Sequence, residues 1–382
     1  MSSETLSEGQ FAVVSQSQDF IDGYSDDSAK VIYDIPVIIF GDHTKIVKYV
    51  DFPFVLGADG TKVLKPILCN PKFLYYLIYD AANKINPKGY ARHFKLLKQS
   101  ILTLPPLEEQ QRIVEHIESI FKQIDLIENS QNDYLNLVDV LKKAILQSAI
   151  QGTLVEQCED DEPAFVLLKK IRAEKKAQLG KKYVESYIYK GVDNRYYEHI
   201  GDNEVEITQE IPYKLPKNWC WSRIQDISDS YIGLTYKPTD IVQNDGWIVL
   251  RSSNIQEGKL DLNNIVRVNV AISEKLTVKK NDIIICARNG SKKLVGKSAI
   301  VDIDMPNLTF GAFMAICKTP LYAYVAKFLL SSLFFDQLSN VCGTTTINQL
   351  TQNNFNKFLI PIPPLAEQER IVSKINEIFA QL

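Results

Sequence analysis

Short apolar runs separated by turn residues fill the first hundred positions. The stretches Phe11–Ser17, Val31–Thr44 and Lys48–Gly60 predict several short strands, and the longer run from Phe73 to Lys84 predicts a helix. The period then changes. Ile113, Ile117, Ile120, Ile124, Ile127, Tyr134, Val138, Leu141 and Ile145 follow alternating four- and three-residue steps, broken once by Gln131. That is the seam of a coiled coil over nearly five heptads. Pro105-Pro106 opens the helix, where proline is tolerated, and Glu108 and Glu109 suit its positive end. With Gly152 ending it, at ~1.5 Å per residue the helix is roughly 65–70 Å long. It serves either as half of a coiled coil or as one core helix of a bundle. A second helix is expected from Pro163 to about Lys182, with a basic outer face that is solvated or touches DNA. Residues 183–212 are polar and tyrosine-rich and predict a connector. Strand-like runs resume from Lys214 to about Lys318, and Tyr322–Ser339 predicts a helix.

Two stretches 258 residues apart are nearly one peptide. Leu104–Phe121 and Ile362–Phe379 share 11 of 18 positions without a gap, including both prolines. A repeat of this length signals a duplicated structural unit. It extends further: Gln10–Gln16 aligns with Gly246–Ser252, and Ile38–Thr44 with Ile284–Gly290. The order is a β-rich module, a long helix, a second β-rich module and the start of a second helix.

Composition narrows the class. The 382 residues, 45% hydrophobic and 23% charged, describe a folded chain of two or more domains. No apolar run reaches the ~20 residues that span a bilayer, and the first residues are neither basic nor apolar, so no membrane or secretory segment is expected. Six dispersed cysteines without a CxxC fit a reduced, cytoplasmic chain. A net charge of −3 counts against non-specific coating of nucleic acid but leaves room for a local patch.

Enzyme signatures are incomplete. Gly290 to Ser298 imitates a phosphate loop but places five residues between its glycines instead of four. Asn70-Pro-Lys-Phe73 lacks the second proline of an adenine-methyltransferase turn. No GxGxxG follows a strand. His43, His93, His116 and His199 are scattered without metal-ligand spacing, so no metal is expected.

Several segments together resemble the specificity subunit of a Type I restriction–modification system: Leu215-Pro-Lys-Asn-Trp-Cys-Trp221, Gly233-Leu-Thr-Tyr-Lys-Pro238, Val249-Leu-Arg-Ser-Ser-Asn-Ile255, Ala144–Val155 and both PPLxEQ(Q/E)RIV helix starts. The resemblance implies an α+β fold with two β-rich target-recognition domains joined by long antiparallel coiled-coil helices and an internal pseudo-twofold repeat. Its domains would be an N-terminal recognition domain at 1–104, truncated at its start, a spacer helix at 105–152, and a linker with a helix at 153–212. A second recognition domain at 213–361 and a shortened second spacer helix at 362–382 would follow. The missing pieces belong to a truncated or rearranged allele or come from another chain. The subunit would be non-catalytic and bind no cofactor itself, S-adenosylmethionine being held by the partner methyltransferase subunits. Its partners would be double-stranded DNA, methyltransferase (modification) subunits and restriction subunits, with a homodimer through the long helix also open. An interaction protein derived from such a subunit, with DNA reading lost, is the alternative.

Reading base edges needs Arg, Lys, Asn, Gln, Ser and Thr on loops. The candidates in the first module are Ser15, Gln16, Ser17, His43, Thr44, Lys45, Arg92 and His93. In the second they are Tyr236, Lys237, Arg251, Ser252, Asn254, Arg288, Asn289, Lys292, Lys293, Thr344, Thr345 and Asn348. The competing reading of each is a solvated polar loop.

Overall fold

The fold is that of a computed structural model, which describes residues 5–86, 92–342 and 348–382. The chain divides into two compact units, Met1–Asp133 and Tyr134–Leu382, and the division falls inside one long helix.

In the first unit, strand β1 (Phe11–Val14) sits in a four-stranded sheet. A second sheet is centred on β2 (Val37–Gly41), flanked antiparallel by β3 (Val47–Val50) and a later strand. Strand β4 (Phe54–Leu56) runs parallel to β1, and β5 (Thr61–Leu64) completes the second sheet. The unbroken apolar run of β2 follows from cover on both faces, since successive side chains of a strand point to opposite sides. Ile38 and Phe40 join Ile78, Ala81 and Ala82 of helix α1 (Pro71–Lys84), while Val37 and Ile39 pack with Val14, Val50 and Phe54. Asn70 starts α1 by accepting hydrogen bonds from the Lys72 and Phe73 amides, each at 3.0 Å.

Helix α2 (Leu107–Gln151) is the long helix anticipated from the heptads. Its beginning is anchored by Gln110, a buried side chain whose Nε2 donates back to the Pro105 carbonyl at 2.8 Å. Gly152 closes it at φ +74°, a backbone that L side chains rarely adopt.

The second unit holds α3 (Ala164–Leu179) and then, instead of the expected connector, an antiparallel sheet of β6 (Ser186–Lys190), β7 (Tyr196–Ile200) and β8 (Asn203–Glu206). The tyrosines that made this segment look like a linker stack along the sheet, Tyr189 against Tyr197 and Tyr187 against His199. A buried ion pair ties the sheet down: Arg223, at the end of β9 (Cys220–Arg223), grips Glu198 at 3.0 and 2.7 Å and reaches Glu210 at 2.8 Å. The basic face of α3 is partly consumed within the same unit. Lys175 donates to the carbonyls of Gln225 and Ser228, and Arg172 lies over the Tyr187 ring.

The rest of this unit repeats the first. Strand β10 (Trp247–Leu250) parallels β1, and β11 (Ile283–Cys286) is central between antiparallel neighbours, as β2 is. Those neighbours are β12 (Ser298–Ile300) and, beyond β13 (Leu308–Phe310), β14 (Met314–Lys318). The parallel pair β10–β13 matches β1–β4 in register: Val14 faces Leu56, and Leu250 faces Phe310. The next amide repeats too, Gly57 N donating to Val14 O at 3.0 Å and Gly311 N to Leu250 O at 2.9 Å. Gly41 N donates to Ile46 O, and Cys286 N to Lys297 O, both at 2.8 Å. Gly41 therefore matches Cys286, one residue away from the ungapped sequence alignment.

The helix expected at 322–339 is two, α4 (Tyr322–Phe328) and α5 (Ser332–Cys342), broken where buried Ser331 turns its hydroxyl onto the Phe328 carbonyl. Strand β15 (Leu359–Ile362) pairs with β9 and leads into α6 (Leu365–Phe379). Here Gln368 Nε2 donates to the Pro363 carbonyl at 2.9 Å, the counterpart of the Gln110 bond. The repeated peptide is thus a repeated helix start.

Within the second unit α6 lies antiparallel to the end of α2. Lys142 sits over the Phe379 ring, whereas Gln157, beyond the helix end, donates to Glu367. Ile145, Ala149 and Ile150 share one core with Ile371 and Ile375. Of the seam, Val138 and Ile145 are buried, Ile113 and Ile117 are half-buried, and Leu141 is exposed. Ile120, Ile124, Ile127 and Tyr134 are 42–66% exposed. The 15 residues of α6, ~22 Å at 1.5 Å each, reach only the last turns of α2.

Candidate nucleic-acid interface

Each unit brings two loops to one corner: the loop after the first strand of the parallel pair, and the loop after the central strand of the other sheet. In the first unit Gln16 links them. Its Oε1 accepts from the His43 amide at 3.1 Å and its Nε2 donates to the Asp59 carbonyl at 3.0 Å. Thr44 Oγ1 donates to the Gln16 carbonyl at 2.7 Å. Lys45 adopts φ +60°, and its ammonium donates to the Ile85 carbonyl at 3.1 Å.

The second unit forms the same corner with other residues. Ser252 Oγ accepts from Asn289 Nδ2 at 3.4 Å, and the Asn289 amide donates to the Asn348 carbonyl at 3.4 Å. Asn348 Nδ2 donates to Gly290 O at 3.4 Å. Arg251 is anchored, one guanidinium nitrogen lying 3.2 Å from both the carbonyl and Oδ1 of Asn264. Arg288 is held differently: its guanidinium carbon lies 5.2 Å from the centre of the Phe313 ring. Tyr236, Arg251, Ser252 and Phe313 line a cleft of about 530 Å³ at this corner. Lys292 and Lys293 are exposed in the loop beside it, and Lys237 is exposed on the segment after Tyr236.

Several candidates do other work. Asn254 is 1% exposed; its Oδ1 accepts from the Arg251 amide, and its Nδ2 donates to the carbonyls of Asp261 and Asn264. His93 is buried with Nδ1 2.9 Å from the Asp42 carbonyl. Ser15 is buried and accepts from the Ser17 amide, while Ser17 donates to the Asp19 carbonyl at 3.0 Å. These four make hydrogen bonds to the backbone of the loops themselves, and Asn254, His93 and Ser15 are buried. Arg92 is exposed, and Thr344 and Thr345 lie outside the described residues.

Sequence reasoning missed Phe313, a 58% exposed aromatic at the second corner. The signal was present, because Gly-Ala follows the parallel strand in both modules, at Gly57-Ala58 and Gly311-Ala312. The phosphate-loop imitation fails on structure, since strand β12 rather than a helix follows its last glycine. Nor is there an activated thiol here: burial raises the Cys286 thiol above its ordinary range, which keeps it protonated.

A family model described as the Type I restriction modification DNA specificity domain matches residues 2–136 and 216–382. The chain belongs to this family. It is 32% identical over 176 residues to the EcoKI specificity subunit of Escherichia coli strain K12, covering 44% of this chain and 38% of that protein. It is 30% identical to the Escherichia coli EcoAI specificity subunit over 75% of this chain and 46% of that protein. The chain thus spans less than half the length of these relatives. A solved chain from a type I R-M system superposes with a TM-score of 0.57 at 17% identity, covering 97% of this chain and 84% of that one, which shows a shared fold. Both family matches fall on the modules and their helix starts, and the stretch 137–215 lies outside them.

Proposed function

We propose that this chain is the sequence-reading subunit of a Type I restriction–modification complex. Each module reads one half of a bipartite duplex site through its two-loop corner. The observation that carries this reading is the equivalence of the corners: Gln16 stands where Ser252 stands, and His43 stands where Arg288 stands. A conserved frame holding different polar side chains at the same points is what two readers of unlike sequence require. The chain itself performs no chemistry and holds no cofactor. Methyltransferase subunits carrying S-adenosylmethionine modify adenine at the site it selects, and restriction subunits join through them. The exposed stripe from Ile120 to Tyr134 supports a helical partner, which a second copy of this chain would supply.

The test is to map methylated adenines in host DNA with and without the gene. Loss of one split motif supports the reading, and an unchanged methylome in a host carrying the partner subunits contradicts it. Binding to duplex DNA should also weaken steeply with salt.

A further inference from the structure

We infer that discrimination by the second module turns on a stacked pair, Arg288 over Phe313, which holds a guanidinium fork ready for one guanine. This rests on the reading of the chain as a DNA-sequence reader and names the residues that do the reading. Two arginines reach this corner, and they are not equivalent. Arg251 is already engaged with Asn264. Among the described residues, the Arg288 guanidinium has no hydrogen-bond or ion-pair partner; its neighbour is the Phe313 ring. Stacking on an aromatic face leaves the donors in the guanidinium plane directed outward, the arrangement that meets guanine O6 and N7 with two parallel hydrogen bonds.

The backbone makes this a built feature. The Phe313 carbonyl accepts from both the Ala287 and Arg288 amides, at 2.9 and 3.0 Å, so the two residues that form the stack are fixed to each other. Arg288 also forms a bridge with Gln349, which steadies its other side. Phe313 remains more than half exposed, although it costs solubility and fills no core.

The first module has the same frame with other residues in it. There the Asp42 amide donates to the Gly60 carbonyl at 2.9 Å, as the Ala287 amide does to Phe313. Gly60 therefore stands where Phe313 does, and His43 where Arg288 does. A Cβ on Gly60 would come within 3.0 Å of the His43 ring and 2.9 Å of Gln16 Nε2, so the imidazole and the amide occupy the room that the phenyl ring takes in the other module. Position pairs 43/60 and 288/313 are thus one place where the two frames differ in reader chemistry.

The test compares wild type, Arg288→Lys and Phe313→Leu, each as the full chain. A selected duplex and the set of its single-base-pair substitutions serve as competitors. Arg288→Lys keeps the charge and loses the fork. It should reduce discrimination at one G·C pair by roughly 5–150-fold, the equivalent of a bidentate contact worth ~1–3 kcal/mol. Phe313→Leu should reduce it at the same pair by about 2–5-fold, the worth of an exposed stack. Binding to unrelated duplex should be kept in both, and unchanged tryptophan fluorescence would show that the variants fold. Variants that keep every base preference, or that lose preference at different pairs, overturn the stacked-pair inference alone. A wild-type chain that selects no sequence overturns the DNA-reading function and this inference with it.

Discussion

The duplicated helix start offers a like-for-like comparison of burial. Ile375 and Ile117 occupy the same position of the repeat, yet Ile375 is fully buried against the end of α2 and Ile117 is half-buried. Truncating a fully buried isoleucine to alanine removes its transfer energy and leaves a cavity, together ~2–5 kcal/mol. At the half-buried site roughly half of the transfer term is in play and solvent fills the gap, so the loss is ~1–2 kcal/mol. The two can be read separately, because Trp219, Trp221 and Trp247 all lie in the second unit. In urea, Ile375→Ala should move the tryptophan transition. A loss of ~3 kcal/mol against a slope of ~2–3 kcal/mol per M shifts the midpoint by roughly 1–1.5 M. Ile117→Ala should leave that transition in place and shift only the circular-dichroism signal of the first unit. Equal shifts of the fluorescence midpoint would refute the claim that α6 and the end of α2 are already paired.

Other consequences follow from individual contacts. Arg223→Met strands the Glu198 carboxylate inside the fold and should cost ~3–5 kcal/mol, read as a lower urea midpoint of the tryptophan signal. Gly152→Ala should destabilise the second unit by more than ~1 kcal/mol in the same assay, because φ is +74° and the new Cβ lies 2.5 Å from Pro216 Cγ. Burial raises the Glu367 carboxyl above its ordinary 4.5, against the pull of its Trp219 and Gln157 donors. The folded form therefore holds its proton to higher pH than the unfolded form, so this group lowers stability as pH rises through that window, with the penalty complete above the folded value. Glu367→Gln removes that component, and its melting temperature should gain on wild type as pH rises from 4 to 7; a difference flat with pH would refute the account.

Much of the frame was legible because it is written in periodicity. The heptads of α2 and the two proline-led helix starts are local patterns, and they appear where the spacing put them. The pairing of loops was harder. Gln16 meets His43, and Ser252 meets Asn289, across dozens of residues of chain, and no local pattern encodes that meeting. Asn254 and His93 show a related difficulty: both are polar loop residues, and their burial cannot be read from the local sequence. Residues 183–212 looked like a linker because their apolar surface is aromatic and half-exposed, so the alternation that marks a strand is weak there. Phe313 was missed for the opposite reason, being an apolar residue left outside the core, although the repeated Gly-Ala marks its place.

The central claim is that two equivalent corners read two different half-sites. Selection of bound duplexes from a randomised pool by the full chain tests it most directly, repeated with Gln16→Ala in the first corner and Arg288→Lys in the second. The account predicts two separated runs of constrained base pairs, each relaxed by one variant and untouched by the other. A single run, or two runs that neither variant changes, would contradict it.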